Sequence, residues 1–456
     1  MNNKRTARDI ALDILIAADE RGAYSNLLLN DALEKSRLTD PRDRGLVTEL
    51  VYGTIQRRNT LDWIIDSLVR KGGHSLDPWV HQLLRMGLYQ LRFLDKIPSR
   101  AAVHETVGQA KSRGHKGISG LVNGVLRSYL RRVREWELPA EPDNSRTLAL
   151  AYSHPEWMVR RMMEAYGQET AVQVMAANNR PPAITLRTNP MKTDRETLID
   201  RLKEAYPQAE VAPSSISEQG IVFSGGGNLA FHPLYREGWY SVQDESSMLV
   251  AEVLDPQPGN RGLDGCAAPG GKTAHLAERM KNQGSLLASD IHEHKVGLIE
   301  TNAARLGLSI IKVCRADLRE LPDEAAGSFD FVLLDAPCSG LGVIRRKPDI
   351  KWSKTPQEVD SLVRLQRELL EAAAKLVLPG GTLVYSTCTM EPRENEEQVA
   401  DFLARYPEFC PDPAYLNKLP GTVREQAILG DGSLQILPHQ FNSDGFFIAR
   451  LLRQEG

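Results

Sequence analysis

The sequence predicts a multidomain protein: an all-α N-terminal domain, a small α+β module, and a C-terminal α/β domain on a parallel, doubly wound sheet. Three observations carry this. Through residues 4–135 apolar side chains recur three and four apart, as at Leu84, Leu88 and Leu91. From Gly262 onward, strand-length apolar runs alternate with helix-length amphipathic ones. Between them, residues 146–240 mix both periods. A chain of 456 residues, 41% hydrophobic and 25% charged, can bury cores for two or three such domains.

In the first domain, residues 1–140, the periodicity predicts helices that include Ala7–Ala18, Arg44–Gln56, Asn59–Leu68, Val80–Leu94, Arg100–Ala110 and Ile118–Arg132. Thr39-Asp40-Pro41 and Asp77-Pro78 are helix starts, because proline lacks the N–H that a first turn leaves unbonded anyway. The turn-rich Leu138-Pro139-Ala140-Glu141-Pro142-Asp143-Asn144-Ser145 closes this domain. In 146–240, Glu156–Ala165, Glu169–Asn178 and Asp194–Ala205 read as helices. Ala183–Arg187, Gly220–Phe223 and Trp239–Gln243 read as strands. The third domain, 241–456, offers strands at Gly262–Cys266, Ser285–Asp290, Ile310–Asp317, Phe329–Ala336 and Gly381–Thr387. Helices Lys272–Met280, Lys295–Leu306 and Pro356–Val377 lie between them, and repeated strand–helix units imply right-handed crossovers. Leu434–Leu437 and Phe446–Leu452 would add an antiparallel hairpin at the edge.

Composition narrows the classes. No stretch approaches the roughly 18 apolar residues of a membrane helix. The run from Ile10 to Ala18 follows basic residues but is interrupted by Asp13, which fits an amphipathic helix and not an export signal. The five cysteines, at 266, 314, 338, 388 and 410, are odd in number and widely spaced, with no C-x-x-C. A disulfide framework or zinc site is not expected, nor any other metal, and a reducing cytoplasm is. Residues 1–140 hold 23 Lys and Arg against 16 Asp and Glu, and the remainder 33 against 43. Basic side chains crowd into Lys111-Ser112-Arg113-Gly114-His115-Lys116 and Arg127 to Arg134. A polyanion partner and a plain solvated surface both fit that charge.

The first strand of the third domain runs into Asp264-Gly265-Cys266-Ala267-Ala268-Pro269-Gly270-Gly271-Lys272-Thr273. Small residues at a strand-to-helix turn let a ligand approach the backbone. Gly270-Gly271-Lys272-Thr273 imitates the end of a phosphate-binding loop, but that motif needs glycine at 266, where cysteine stands. G-x-G-x-x-G is absent too. Asp290 and Asp317 end the next two strands, positions suited to ribose hydroxyls and an adenine edge. The last two parallel strands deliver Asp335-Ala336-Pro337-Cys338-Ser339-Gly340 and Thr387-Cys388-Thr389, so both thiols should emerge on one rim.

This set suits one reaction. Carbon 5 of cytosine is too weak a nucleophile to take a methyl group unaided, and a thiolate added to carbon 6 activates it. The scheme needs a thiolate, a proton donor at the ring nitrogen and a means of expelling the thiol, for which Cys388, Asp335 and Cys338 are available. Arg345, Arg346 and Lys347 follow in a loop, suited to phosphates.

Asp335 to Gly340, Arg345 with Pro348-Asp349-Ile350-Lys351-Trp352, Tyr385-Ser386-Thr387-Cys388-Thr389 and Cys266 to Thr273 resemble the RNA 5-methylcytosine methyltransferases. The likeness extends to Gln243-Asp244-Glu245-Ser246-Ser247 and Asp444-Gly445-Phe446-Phe447. Residues 1–135 resemble the NusB-type RNA-binding domain, at Glu49-Leu50-Val51-Tyr52-Gly53, Gly87-Leu88-Tyr89-Gln90-Leu91 and Val122-Asn123-Gly124-Val125-Leu126-Arg127. Together they are similar to the bacterial 16S ribosomal RNA cytosine-5 methyltransferases of the RsmB/Fmu (Sun) type. The resemblance implies a Rossmann-like catalytic domain, S-adenosylmethionine as cofactor, 16S ribosomal RNA as partner, and no obligatory protein partner. It implies Cys388 as nucleophile and Cys338 as the group assisting release. Cys266 to Lys272, Asp290, Asp317 and Asp335 would hold the cofactor, and Lys272, Arg345 and Arg346 would meet RNA. Another ribosomal site, or transfer RNA, would fit the same chemistry.

Overall fold

Amphipathic helices bury their apolar stripes against one another in the first part of the computed structural model, which describes residues 5–21, 24–36, 38–138, 144–225, 229–321 and 325–455. Residues 139–143 of the expected linker lie outside the described residues. Contacts divide the chain into two units: Met1–Asn179 with Arg346–Ser353, and Arg180–Arg345 with Lys354–Gly456.

The first unit is helical: Ala7–Arg21, Ser25–Lys35, Pro41–Gln56, Arg58–Leu68, Pro78–Phe93, Ser99–Arg113, Lys116–Arg131, Ser145–Ala151 and Glu156–Asn178. Asp40 caps its helix by accepting from the Arg42 N–H. Asp77 stands at the corresponding position without a side-chain bond, so proline alone marks that start. One core runs through Leu12, Leu15, Leu50, Leu61, Leu84, Leu88 and Leu126, each fully buried side chain contributing about 1.5–3 kcal/mol. The motif segments meet there. The Tyr89 hydroxyl donates to Glu49 at 2.5 Å, and Gly87 faces Thr106 and Leu126. Glu156–Asn178 breaks at Gly167, so the two helices expected there are two arms about that residue.

The second unit holds two sheets. The smaller has strands β1 (Ile184–Thr188), β2 (Glu210–Pro213), β3 (Gly220–Ser224) and β4 (Tyr240–Val242), antiparallel in the order β2-β3-β1-β4. The larger contains β5 (Arg261–Asp264), β6 (Ser285–Asp290), β7 (Ile311–Arg315), β8 (Phe329–Asp335), β9 (Val377–Thr387), β10 (Phe409–Pro411), β11 (Ile428–Gly430), β12 (Ser433–Ile436) and β13 (Phe446–Arg453). Its order is β11-β12-β13-β9-β8-β5-β6-β7, with β10 pairing β13. From β9 to β7 every pairing is parallel. β8 is buried on both faces: Phe331 and Leu333 enter one core, Val332 and Leu334 the other, as a strand covered by helices on both sides requires.

Two expectations need correction. β12 and β13 pair antiparallel beyond β9, as expected, but β9 and β12 flank β13, and β11 takes the outer edge. The β13 residues Phe446, Phe447, Ile448 and Ala449 are buried in succession, so both of its faces are covered. β2 was not anticipated, because only Val211 of its four residues is buried.

Candidate active site

β5 pairs β6 on one side and β8 on the other, so the chain reverses its direction of winding at β5. A crevice opens at such a switch point beyond the carboxyl ends of the strands. The turn after β5 lies there. It is fastened by Gly265 N–H to Leu333 O and Ala267 N–H to Ser289 O, both 2.9 Å. Gly270 has a left-handed backbone at φ +96°, and a Cβ there would press the Ile299 backbone at 3.1 Å. Beneath the turn, buried Arg187 of β1 makes a two-pronged pair with buried Glu278, at 3.0 and 2.8 Å, and donates to Gly271 O at 2.8 Å. The small sheet therefore braces the turn.

Three strand-end carboxylates surround this turn, with Asp317 two residues beyond the end of β7 at the start of a short 3-10 helix. Asp264 is 1% exposed; Oδ2 accepts from Thr273 at 2.7 Å, while Oδ1 has no protein partner among the described residues. Burial pushes its carboxyl up to about 7, with Asp335 adding to the rise. Asp290 accepts from the His292 N–H at 3.0 Å. Asp317 is held by the Arg319 guanidinium at 2.7 and 3.0 Å, and those bonds keep its carboxyl below the usual range. Asp335 joins the Lys272 ammonium and the Ser386 hydroxyl, each at 2.8 Å. Burial, followed by the charges of Asp264, Asp335, Asp290 and Asp317, drives the Cys266 thiol well above its ordinary value. The crevice is thus lined by carboxylates, two of them paired with Lys272 and Arg319.

The two other thiols meet. β8 and β9 are neighbours in the register Asp335 to Ser386, and Cys338 Sγ lies 3.4 Å from Cys388 Sγ. The hydrogen bond to Cys388, then burial, raises the Cys338 thiol far above its usual range, and Cys388, Glu394 and Asp335 add negative charge. Desolvation works against the Lys272 ammonium, yet Asp335, Cys388 and Asp264 raise it overall. None of the five cysteines is in a disulfide.

The thiol loops are held by groups that sequence reasoning missed. Buried Glu394 accepts from the Ser339 N–H and Gln366 Nε2, both 2.8 Å, and from the Ser339 hydroxyl. Asn395 accepts from the Thr387 hydroxyl at 2.6 Å and donates to Thr389 O at 3.1 Å. These lie in Glu391 to Glu397, an acidic run after a strand end in which no site is expected from the sequence. Gly342 and Gly445 meet backbone to backbone. Gly445 N–H donates to Gly342 O at 2.8 Å and Gly342 N–H to Cys388 O at 3.0 Å, so a Cβ on Gly342 would enter the Gly445 carbonyl.

Arg345 is a correction. Expected on phosphates, it is 2% exposed, and its guanidinium donates to Pro438 O at 2.6 Å, to Asn442 O at 2.8 Å and to Ser443 O. It clamps the loop before β13. Arg346 is half-buried and groups with the helical unit, and Lys347 is exposed. Among the described residues no helix is long and apolar enough to cross a membrane.

Fold and site together define a Rossmann-like methyltransferase domain following a NusB-type helical domain and a small ferredoxin-like module. A family model described as 16S rRNA methyltransferase RsmB/F matches residues 251–452, the NusB family matches 5–131, and an RsmF/B-like ferredoxin-like domain matches 154–230. The Bacillus subtilis (strain 168) protein named "Probable ribosomal RNA small subunit methyltransferase B" is 47% identical over 452 residues, 99% of each chain. Ribosomal RNA small subunit methyltransferase B of Yersinia pseudotuberculosis serotype O:1b (strain IP 31758) is 35% identical over 456 residues, all of both chains. The crystal structure of PH0851 superposes with a TM-score of 0.80 at 29% identity, covering 97% of this chain and 98% of its own. The chain belongs to the 16S ribosomal RNA methyltransferase RsmB/F family.

Proposed function

We propose that this methyltransferase modifies carbon 5 of a cytosine in 16S ribosomal RNA, with S-adenosylmethionine as donor and a covalent Cys388–carbon 6 adduct on the way. The observation that carries the reading is the thiol pair at 3.4 Å on adjacent strand ends, beside an Asp335–Lys272 pair. Bound S-adenosylmethionine supplies an electrophilic methyl group on a sulfonium sulfur. Its cationic sulfonium and ammonium suit a carboxylate-lined crevice with an unpartnered, buried Asp264 oxygen. The turn Cys266, Ala267, Ala268, Pro269, Gly270, Gly271 and Lys272, with Asp290, Asp317 and Asp335, would hold it. For Asp317 this means sharing its carboxylate with Arg319.

Cys388 carries the negative charge of the pair, because the Cys338 S–H can donate to it and the Lys272 ammonium lies close by. The thiolate adds its electron pair to carbon 6, the carbon 5–carbon 6 π pair shifts into the carbon 4–carbon 5 bond, and the carbon 4–nitrogen 3 π pair moves onto the ring nitrogen, which takes a proton held by Asp335 beside the Lys272 ammonium. Carbon 5 is then nucleophilic enough to be methylated. Afterwards a base takes the carbon 5 proton, the double bond re-forms and the Cys388 thiolate leaves. Cys338, directly or through water, serves that last step. Glu394 and Asn395 keep the two loops in place.

The proposed division of labour is 1–140 for RNA, 146–240 as brace, and 241–456 for chemistry. Arg346 and Lys272 remain proposed RNA contacts. A ribosomal RNA substrate puts this work in the cytoplasm, where thiols stay reduced. The test is methylation of 16S ribosomal RNA with labelled S-adenosylmethionine, followed by nucleoside analysis. 5-Methylcytosine is expected from the wild type and none from Cys388→Ala with cofactor binding intact. Label on another nucleoside, or a tenth of wild-type turnover in Cys388→Ala, would refute the reading.

A further inference from the structure

Residues Arg346–Ser353 follow the Cys338 loop in sequence but pack within the helical unit. Three anchors hold this strap. Lys351 is fully buried, which pushes its amine well below the usual lysine value, and its Nζ donates to Gln56 O at 3.2 Å, Ser153 O at 3.0 Å and Asn179 Oδ1 at 2.8 Å. The Trp352 indole N–H donates to Ile55 O at 2.8 Å. Asp349 accepts from the Ser25 hydroxyl at 2.6 Å and from its N–H at 3.3 Å. Burying a lysine side chain is costly whether it stays charged or gives up its proton, and a strap that merely crossed a surface would need none.

The strap begins one peptide bond after Arg345, the residue clamped to carbonyls at 438, 442 and 443. The clamped loop continues to Gly445, which bonds Gly342, which in turn bonds the carbonyl of Cys388. Strap and clamp are joined by a single peptide bond, and the clamp leads to Cys388 through chain and hydrogen bonds.

We propose that the helical unit is a positioning element for the reactive thiol: through Arg346–Ser353 and the Arg345 clamp it sets the Gly342–Gly445 contact that holds Cys388. The proposal rests on Cys388 being the nucleophile. It makes Asp349, Lys351 and Trp352 positioning residues. The N-terminal helices then govern the rate of methyl transfer on bound RNA, beyond any effect on RNA affinity.

The test uses full-length protein. Ser25→Ala and Trp352→Phe each remove side-chain donors at one anchor, and Lys351→Met removes three. Single-turnover methylation at saturating ribosomal RNA is measured, with dissociation constants for RNA and S-adenosylmethionine and backbone hydrogen exchange across 339–345. A displacement near 1 Å costs about a hundredfold in rate, so Lys351→Met should lose about ten- to a hundredfold and the other two less. Both dissociation constants should hold, and exchange at 339–345 should quicken. An unchanged saturating rate, or a loss confined to RNA affinity, overturns the proposal. If Lys351→Met fails to fold, the two milder variants decide by the same criteria. The nucleophile assignment fails separately, by turnover in Cys388→Ala. The strap fails when Cys388→Ala is inactive and the strap variants run at wild-type rate.

Discussion

Replacing Cys338 by alanine removes a group 3.4 Å from the Cys388 sulfur and leaves the fold little changed, since one half-buried sulfur is lost from a loop that Glu394 already fastens. Two effects should follow. A hydrogen bond to a charged acceptor is worth about 1.5–3 kcal/mol, so the Cys388 thiolate population should fall roughly ten- to a hundredfold at neutral pH. Adduct formation slows accordingly. Release slows more, because the group proposed to assist removal of the carbon 5 proton has gone. A covalent protein–RNA complex should therefore accumulate over minutes, visible on a denaturing gel with labelled RNA as a band that survives boiling in detergent. It should need both S-adenosylmethionine and Cys388. If Cys388→Ala traps RNA and Cys338→Ala does not, the two roles are reversed. If neither traps and Cys338→Ala turns over normally, Cys338 is packing alone.

Three further outcomes are expected. Asp290→Ala should weaken S-adenosylmethionine binding about ten- to a hundredfold, the worth of charge-assisted hydrogen bonds, and calorimetry giving the wild-type constant would remove Asp290 from the site. Glu278→Ala strands a fully buried arginine and should cost about 3–5 kcal/mol in urea unfolding, whereas a loss below 1 kcal/mol would mean that Arg187 finds another partner. Asp264 titrates at about 7 when folded against a reference of 3.8, so the folded state retains a proton that the unfolded chain releases. Its penalty is absent below the reference value and grows as pH rises towards 7, so Asp264→Asn should stabilise the protein at pH 8 more than at pH 4, and an equal effect at both would refute the shift.

The catalytic half was legible because its signals are local. Strand-length runs such as Phe331 to Leu334 end in Asp335 and Cys338, and Thr382 to Ser386 end in Cys388. A parallel fold brings consecutive runs of that kind together, as the register from Asp335 to Ser386 records. Helix starts at Asp40-Pro41 were equally plain. What escaped depends on distant partners. Arg345 reads as a phosphate ligand until carbonyls more than ninety residues away enclose it. Glu394 carries no signal of its own in the sequence, because Ser339 and Gln366, which close over it, lie 55 and 28 residues away. The order of β11, β12 and β13 likewise turned on which faces of β13 were covered, and a short apolar run does not report that.

The Arg187–Glu278 pair has a consequence for how the protein is made. Its members are 91 residues apart, and the arginine is synthesised first. At roughly 5–20 residues per second, a nascent chain holds Arg187 without its carboxylate for about 5–20 s. The small sheet can form during that interval, but its arginine must stay hydrated until the helix bearing Glu278 leaves the ribosome. The turn after β5 and its brace therefore mature together. A chain released before residue 278 would carry a sheet that cannot finish burying its own charge, a natural substrate for cellular quality control.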